Sequence, residues 1–158
     1  MLKKYKFNLE IPAIILFAVI LIPNLVWAII PPAFDPLRVE SVTKGVDIAT
    51  TIIQVLMIAS LTLLTNEEAS NVKRSPLLVT TLVMVLLYII SWVMYYASLF
   101  NIVILLGLVL CPCVAIILYA IDRKNIFGLV LASLFTIGHF IFAFANFLCI
   151  VIPGACVY

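Results

Sequence analysis

Charge is scarce in this chain. Only 10% of its 158 residues are Asp, Glu, Lys or Arg and 66% are hydrophobic, with a mean hydropathy of +1.34, which excludes an ordinary water-soluble domain. Glycine is almost as sparse. Five glycines leave no phosphate-cradling loop, and neither Gly-x-Ser-x-Gly nor His-Glu-x-x-His occurs, which removes the common nucleotide-binding and hydrolase signatures. The four cysteines, at 111, 113, 149 and 156, form no Cys-x-x-Cys redox motif. Every Asp and Glu falls at the end of an apolar run or between runs, so no carboxylate pair sits inside a run for acid–base work. No cofactor motif is present, and a net charge of +2 is not a nucleic-acid footprint.

What is present is apolar sequence in lengths that match a bilayer. Runs at about 11–30, 46–64, 77–97, 102–121 and 126–152 are each long enough for a hydrocarbon core of roughly 30 Å. They predict an all-α bundle of five transmembrane helices forming one integral membrane domain over residues 1–158, with an outer loop or interfacial helix over 31–45. The cations give an orientation. Lys3, Lys4, Lys6, Lys73, Arg74, Arg123 and Lys124 would lie on one side, and only Arg38 and Lys44 on the other. The positive-inside rule then puts the N-terminus in the cytoplasm and Tyr158 outside. A cleaved signal peptide competes for the first run, with Val26–Trp27–Ala28 as its processing site; cleavage would leave four helices in the same orientation.

The fifth run carries a seam. Gly128, Ala132, Thr136, His139, Ala143 and Asn146 fall within a sector of roughly 80° at about 100° per residue, and such a small-and-polar face is expected to turn toward protein rather than lipid. The second run repeats the pattern, with Asp47, Thr50, Thr51, Gln54 and Thr65 on one side. Gln54 is too polar for acyl chains and is expected in a helix contact or a wet cavity. In the third run Tyr88, Trp92 and Tyr95 stack at i, i+4 and i+7 beside Ser91, and Ser75 caps it ahead of Pro76. Tyr96 and Trp27 are placed for an outer aromatic belt.

In the first run Asn8 is expected to cap, with Glu10 in the first turn and Pro12 tolerated there. Pro23 should kink the outer third, with Asn24 satisfying the freed carbonyl or reaching a neighbouring helix. In the segment that follows, Asp35–Pro36 reads as an N-cap and first helical residue. Glu40, Lys44 and Asp47 would then share one face, with Leu37, Val39, Val42 and Val46 supplying apolar surface. This outer cap, Asp35, Arg38, Glu40, Lys44 and Asp47, reads either as a solvated linker with surface ion pairs or as a lid or docking surface.

Cys111–Pro112–Cys113 resembles the Cys-Pro-Cys of heavy-metal-pumping P-type ATPases, which implies soft-metal ligation within a helix. A regular helix would point the two thiols about 200° apart, so joint ligation requires Pro112 to unwind the turn; His139 is the matching third ligand. The alternative is a packing seam of Gly107, Cys111 and Ala115, with His139 hydrogen-bonded to Tyr88 or Asn24. Cys149 and Cys156 lie where a disulfide could form.

Glu10–Ile11–Pro12 with Ile22–Pro23–Asn24 resembles the opening of a loose group of small, uncharacterised multispanning membrane proteins of Gram-positive bacteria, which implies a bacterial plasma membrane. Size and helix count are similar to the TspO family of porphyrin- and sterol-binding proteins, and Pro31, Pro32, Phe34 and Pro36 echo that family's first loop. The chain departs from it in having only Trp27 and Trp92, and the TspO fold is not adopted. The expected function is a non-enzymatic accessory or binding protein (sensor, immunity or partner subunit) that holds a small hydrophobic ligand in an outward-facing pocket. Asn24, Gln54, Tyr88, Trp92, Tyr95, His139 and Asn146 are the candidate lining. Its partners would be the lipid bilayer and another membrane protein or a second copy. The alternative is a small transporter or metal-handling protein using Cys111, Cys113 and His139.

Overall fold

Each long apolar run folds as a helix, the conformation in which a segment satisfies its own backbone polar groups. The computed structural model describes residues 4–69 and 75–151, without the side chain of Cys149. Lys3, Lys73, Arg74, Ile152, Cys156 and Tyr158 lie outside the described residues, as does any Cys149–Cys156 bridge. Five helices long and apolar enough to cross a membrane are found among the described residues: α1 (Ile11–Ile29), α2 (Lys44–Leu63), α3 (Pro76–Tyr96), α4 (Ile102–Asp122) and α5 (Ile126–Val151).

Helix α4 is the central one. It is 44% buried over its span against 22–28% for the others. Helices α3 and α5 pack along it and α2 packs on α5, whereas α1 meets α2 and α3 only sparsely. Small residues permit the closest approaches. A Cβ on Gly128 would lie 2.7 Å from Leu61 Cγ, and one on Gly107 would lie 2.9 Å from Ser91 Cβ, so the Leu61 side chain of α2 seats against the α5 backbone and the Ser91 side chain of α3 against that of α4. The seam on α5 faces inward: Gly128, Ala132, Ala143 and Asn146 are buried, Thr136 and His139 half-buried.

One end of the bundle holds an element that hydropathy does not reveal. Residues Tyr5–Phe7 (β1) pair antiparallel with Leu64–Asn66 (β2), Tyr5 opposite Asn66 and Phe7 opposite Leu64. The ladder continues as Asn8 N–H to the Leu63 carbonyl (3.0 Å) and Glu10 N–H to the Thr62 carbonyl (2.8 Å). Two expectations are corrected by this pairing. Asn8 does not cap α1, since its backbone is engaged by Leu63 and the cap position falls to Glu10. Thr65 leaves the polar stripe of α2, because α2 ends at Leu63 and Thr65 belongs to β2. Ser75 does occupy the cap position of α3, with Pro76 first in the helix, but its side chain bonds no backbone N–H.

At the other end Pro31–Thr43 forms no interfacial helix; it has a single turn at Pro36–Leu37. The physical reason is competition for the capping group. Asp35 spends its carboxylate on Trp27, Tyr95 and Arg38 rather than on the free N–H groups of a first helical turn. Glu40 therefore precedes α2 rather than sharing a helix with Lys44 and Asp47, although Lys44 and Glu40 still pair at 2.6 Å.

Candidate functional site

Sparse packing of α1 leaves a cavity of about 420 Å³ reached by all five helices. Helix α1 contributes Phe17, Ile20, Leu21 and Asn24, and α2 contributes Asp47, Thr50, Thr51, Gln54 and Met57. Tyr88 comes from α3, Pro112 and Ile116 from α4, and Phe135, His139 and Phe142 from α5. The lining is thus apolar with one polar ladder, the α2 stripe. A size of this order suits a small organic molecule.

The polar groups differ in how they are satisfied. Pro23 supplies no N–H to the preceding turn, and side chains gather on the neighbouring carbonyl: Asn24 Nδ2 donates to the Ile20 carbonyl (2.9 Å) and to Tyr88 Oη (2.7 Å), and Tyr88 donates to the same carbonyl (3.0 Å). Tyr88 and Asn24 therefore satisfy each other, and the expected bond from either to His139 is not made. The His139 ring instead stacks on Phe135, centroids 5.2 Å apart, and toward Phe142 at 6.4 Å. Neither His139 nor Gln54 has a side-chain hydrogen bond among the described residues, although both line the cavity.

A second chamber of about 150 Å³ shares Asn24, Leu108, His139 and Phe142 with the first and is lined also by Trp27, Leu37, Trp92 and Phe147. Trp92 is only 6% exposed, and its indole N–H has no partner among the described residues. An unpaired buried donor of this kind is costly unless something in the chamber accepts from it.

Pro31–Thr43 crosses this end as a strap pinned on both sides. On one side Asp35 accepts from Trp27 Nε1 (3.0 Å), from Tyr95 and from Arg38 Nε (3.1 Å), while Arg38 lies 5.3 Å over the Trp27 ring. Burial raises the Asp35 pKa, but the hydrogen bonds from Tyr95 and Trp27 and the Arg38 charge outweigh it and hold the carboxyl below its ordinary range. On the other side Asn146 accepts from Val42 N–H (2.8 Å) and donates to Thr43 Oγ1 (3.0 Å). Tyr95 and Asn146, expected in the pocket lining, are therefore strap anchors, and Trp92 lines the smaller chamber. Asp47, expected in the outer cap, lines the main cavity.

Helix α4 runs unbroken through Pro112, so the unwound turn that joint ligation by Cys111 and Cys113 requires is not formed. Both thiols are buried, and no three His, Cys, Asp or Glu side chains converge on a common point among the described residues. Gly107 meets Ser91 of α3, and Cys111 and Ala115, one and two turns further along α4, are buried.

The opposite end carries a charge cluster that sequence reasoning treated as loop cations and caps. The Arg123 side chain is only 9% exposed. Its Nε donates to Asp122 at 2.9 Å, its Nη1 lies 3.6 Å from Glu10, and Tyr119 donates to Glu10 at 3.3 Å. Asn125 bridges the same corner, with Nδ2 donating to the carbonyls of Ser60 (3.0 Å) and Leu64 (2.8 Å) and Oδ1 capping α5 at Gly128 N–H (2.9 Å). Comparisons with protein-family models, curated proteins and solved structures each return no match.

Proposed function

We propose that this chain is a non-enzymatic multi-pass membrane protein, a sensor, immunity or partner-binding subunit, that holds a small hydrophobic ligand between its helices. The observation that carries the reading is the 420 Å³ cavity with Gln54 and His139 left without partners on its wall. A purely structural bundle would close such a space or pair such groups, since voids and unsatisfied polar atoms both cost stability. The strap and the second chamber support it, because they cover the cavity end with anchored aromatic residues rather than with free loop.

We place that end outside a bacterial plasma membrane and the β1–β2 end in the cytoplasm, on the strength of the cation distribution and the resemblance of the first helix to small membrane proteins of Gram-positive bacteria. The ligand then enters from the outer side, beside α1, whose packing on its neighbours is sparse.

Equilibrium dialysis of phenylhexanol, a neutral apolar probe with one hydroxyl, against nanodiscs with and without the protein tests the reading. Saturable binding above the empty-disc background is expected, falling at least about tenfold in Gln54→Trp, which places a bulky ring on the cavity wall at a half-buried position. Binding equal to that of empty discs would overturn the cavity as a ligand site.

A further inference from the structure

We propose that the ligand of this cavity is a cationic amphiphile, an amine or quaternary ammonium whose head pairs with Asp47 while its apolar body reaches Met57. The inference rests on the binding reading above and specifies its chemistry.

Asp47 is half-buried and, among the described residues, is the only charged one lining the cavity. One carboxylate oxygen accepts from Thr43 Oγ1 at 2.9 Å, and the other has no partner among the described residues. Both cations described at this end are already committed, Lys44 to Glu40 and Arg38 to Asp35. Apart from the N-terminus of α2, in whose first turn it sits, the carboxylate therefore stands at the mouth without a counter-charge among the described residues, and a cation arriving from outside would supply one.

The rest of the wall fits such a ligand. Below Asp47, Thr50, Thr51, Gln54 and Met57 descend α2, a drop of about 15 Å at the helical rise. Phe135 and Phe142, which stack with His139, and Phe17 line the cavity as well and supply apolar surface for the body of the ligand. An anionic amphiphile would meet the opposite: a repelling carboxylate and no cation to receive it.

The test compares phenylhexylammonium, phenylhexanol and phenylhexanoate, which share one body and differ in head charge, by equilibrium dialysis against protein-containing and empty nanodiscs. The expected order is ammonium over alcohol by about tenfold or more, with the carboxylate weakest. Asp47→Asn keeps an acceptor for Thr43 and should bring ammonium binding down to that of the alcohol in the same variant, with an unchanged thermal unfolding curve in detergent reporting that the variant is folded; Asp47→Glu should keep the preference. Equal binding of ammonium and alcohol, or a preference that survives in Asp47→Asn, would overturn the cationic ligand and leave the cavity reading standing. If none of the three probes binds above empty discs, the cavity reading fails with it.

Discussion

The two ends of the bundle handle polarity in opposite ways. At the β1–β2 end the buried charges of the corner are paired: Arg123 holds Asp122 and Glu10, Tyr119 adds a hydrogen bond, and Asn125 satisfies two carbonyls and a helix N-terminus. The Ser60 hydroxyl is the one buried side-chain group there without a partner among the described residues. At the cavity end Gln54, His139 and the Trp92 indole are left without partners, and Asp47 has one idle oxygen. A marginally stable protein tolerates unpaired buried polar groups chiefly where they serve a function. One end is therefore read as the structural clasp of the bundle and the other as the working end.

Breaking the clasp should have the largest effect. Arg123→Ala leaves Glu10 and Asp122 as uncompensated carboxylates in a nearly buried corner, an expected loss of about 3–5 kcal/mol. Thermal unfolding in detergent would register it, and adding Asp122→Asn to the same chain should recover part of the loss. A variant as stable as the parent would show the corner to be solvated and the contrast between the ends to be false.

Loosening the strap comes next. Asn146→Leu removes the acceptor for Val42 N–H and the donor to Thr43 Oγ1, worth about 1–3 kcal/mol in all. Most of that should appear locally, as faster hydrogen exchange across Leu37–Thr43 with a small change in overall unfolding. Uniformly faster exchange throughout α5 would mean that Asn146 holds the helix rather than the strap.

The five-helix architecture was legible because hydropathy over about 20 residues is a direct reading of the bilayer as solvent. The inward seam of α5 was legible for a related reason: six positions on one face lie close together whatever the rest of the chain does. What could not be read depends on residues distant in sequence. β1 and β2 are three residues each, too short for an alternation signal, and exist because Tyr5 meets Asn66 and the turn at Lys124. Arg123 looks like a loop cation until Glu10, from the far end of the chain, is brought beside it. The strap misled in the other direction. Asp35–Pro36 has the local signature of a helix start, and Trp27 and Tyr95 outbid the backbone for the carboxylate. Of the cavity, Gln54, Tyr88 and His139 stood out as polar residues in apolar runs, whereas Phe135 and Phe142 looked like any other lipid-facing aromatic. Asp47 was noticed twice, in the outer cap and at the head of the α2 polar stripe, and it is the stripe that lines the cavity.

The strap itself carries the smallest expected difference, between its two carboxylates. Glu40 pairs with Lys44 where the side chains are 84% and 69% exposed, so Glu40→Gln should change stability by less than about 0.5 kcal/mol at any pH. Asp35 is 12% exposed at its side chain, and its pKa is lowered from 3.8. A carboxyl whose folded pKa is depressed adds stability that is present above its unfolded value and is lost as pH falls through the folded one. Acid titration of strap mobility, followed by hydrogen exchange or by Trp27 fluorescence, should therefore show loosening only below pH 3.8. The transition should be absent in Asp35→Asn, where the strap is already loose, and intact in Glu40→Gln. If Glu40→Gln abolished it and Asp35→Asn did not, the anchor of the strap would have to be moved from the Trp27–Tyr95 side to the mouth of α2, beside Asp47.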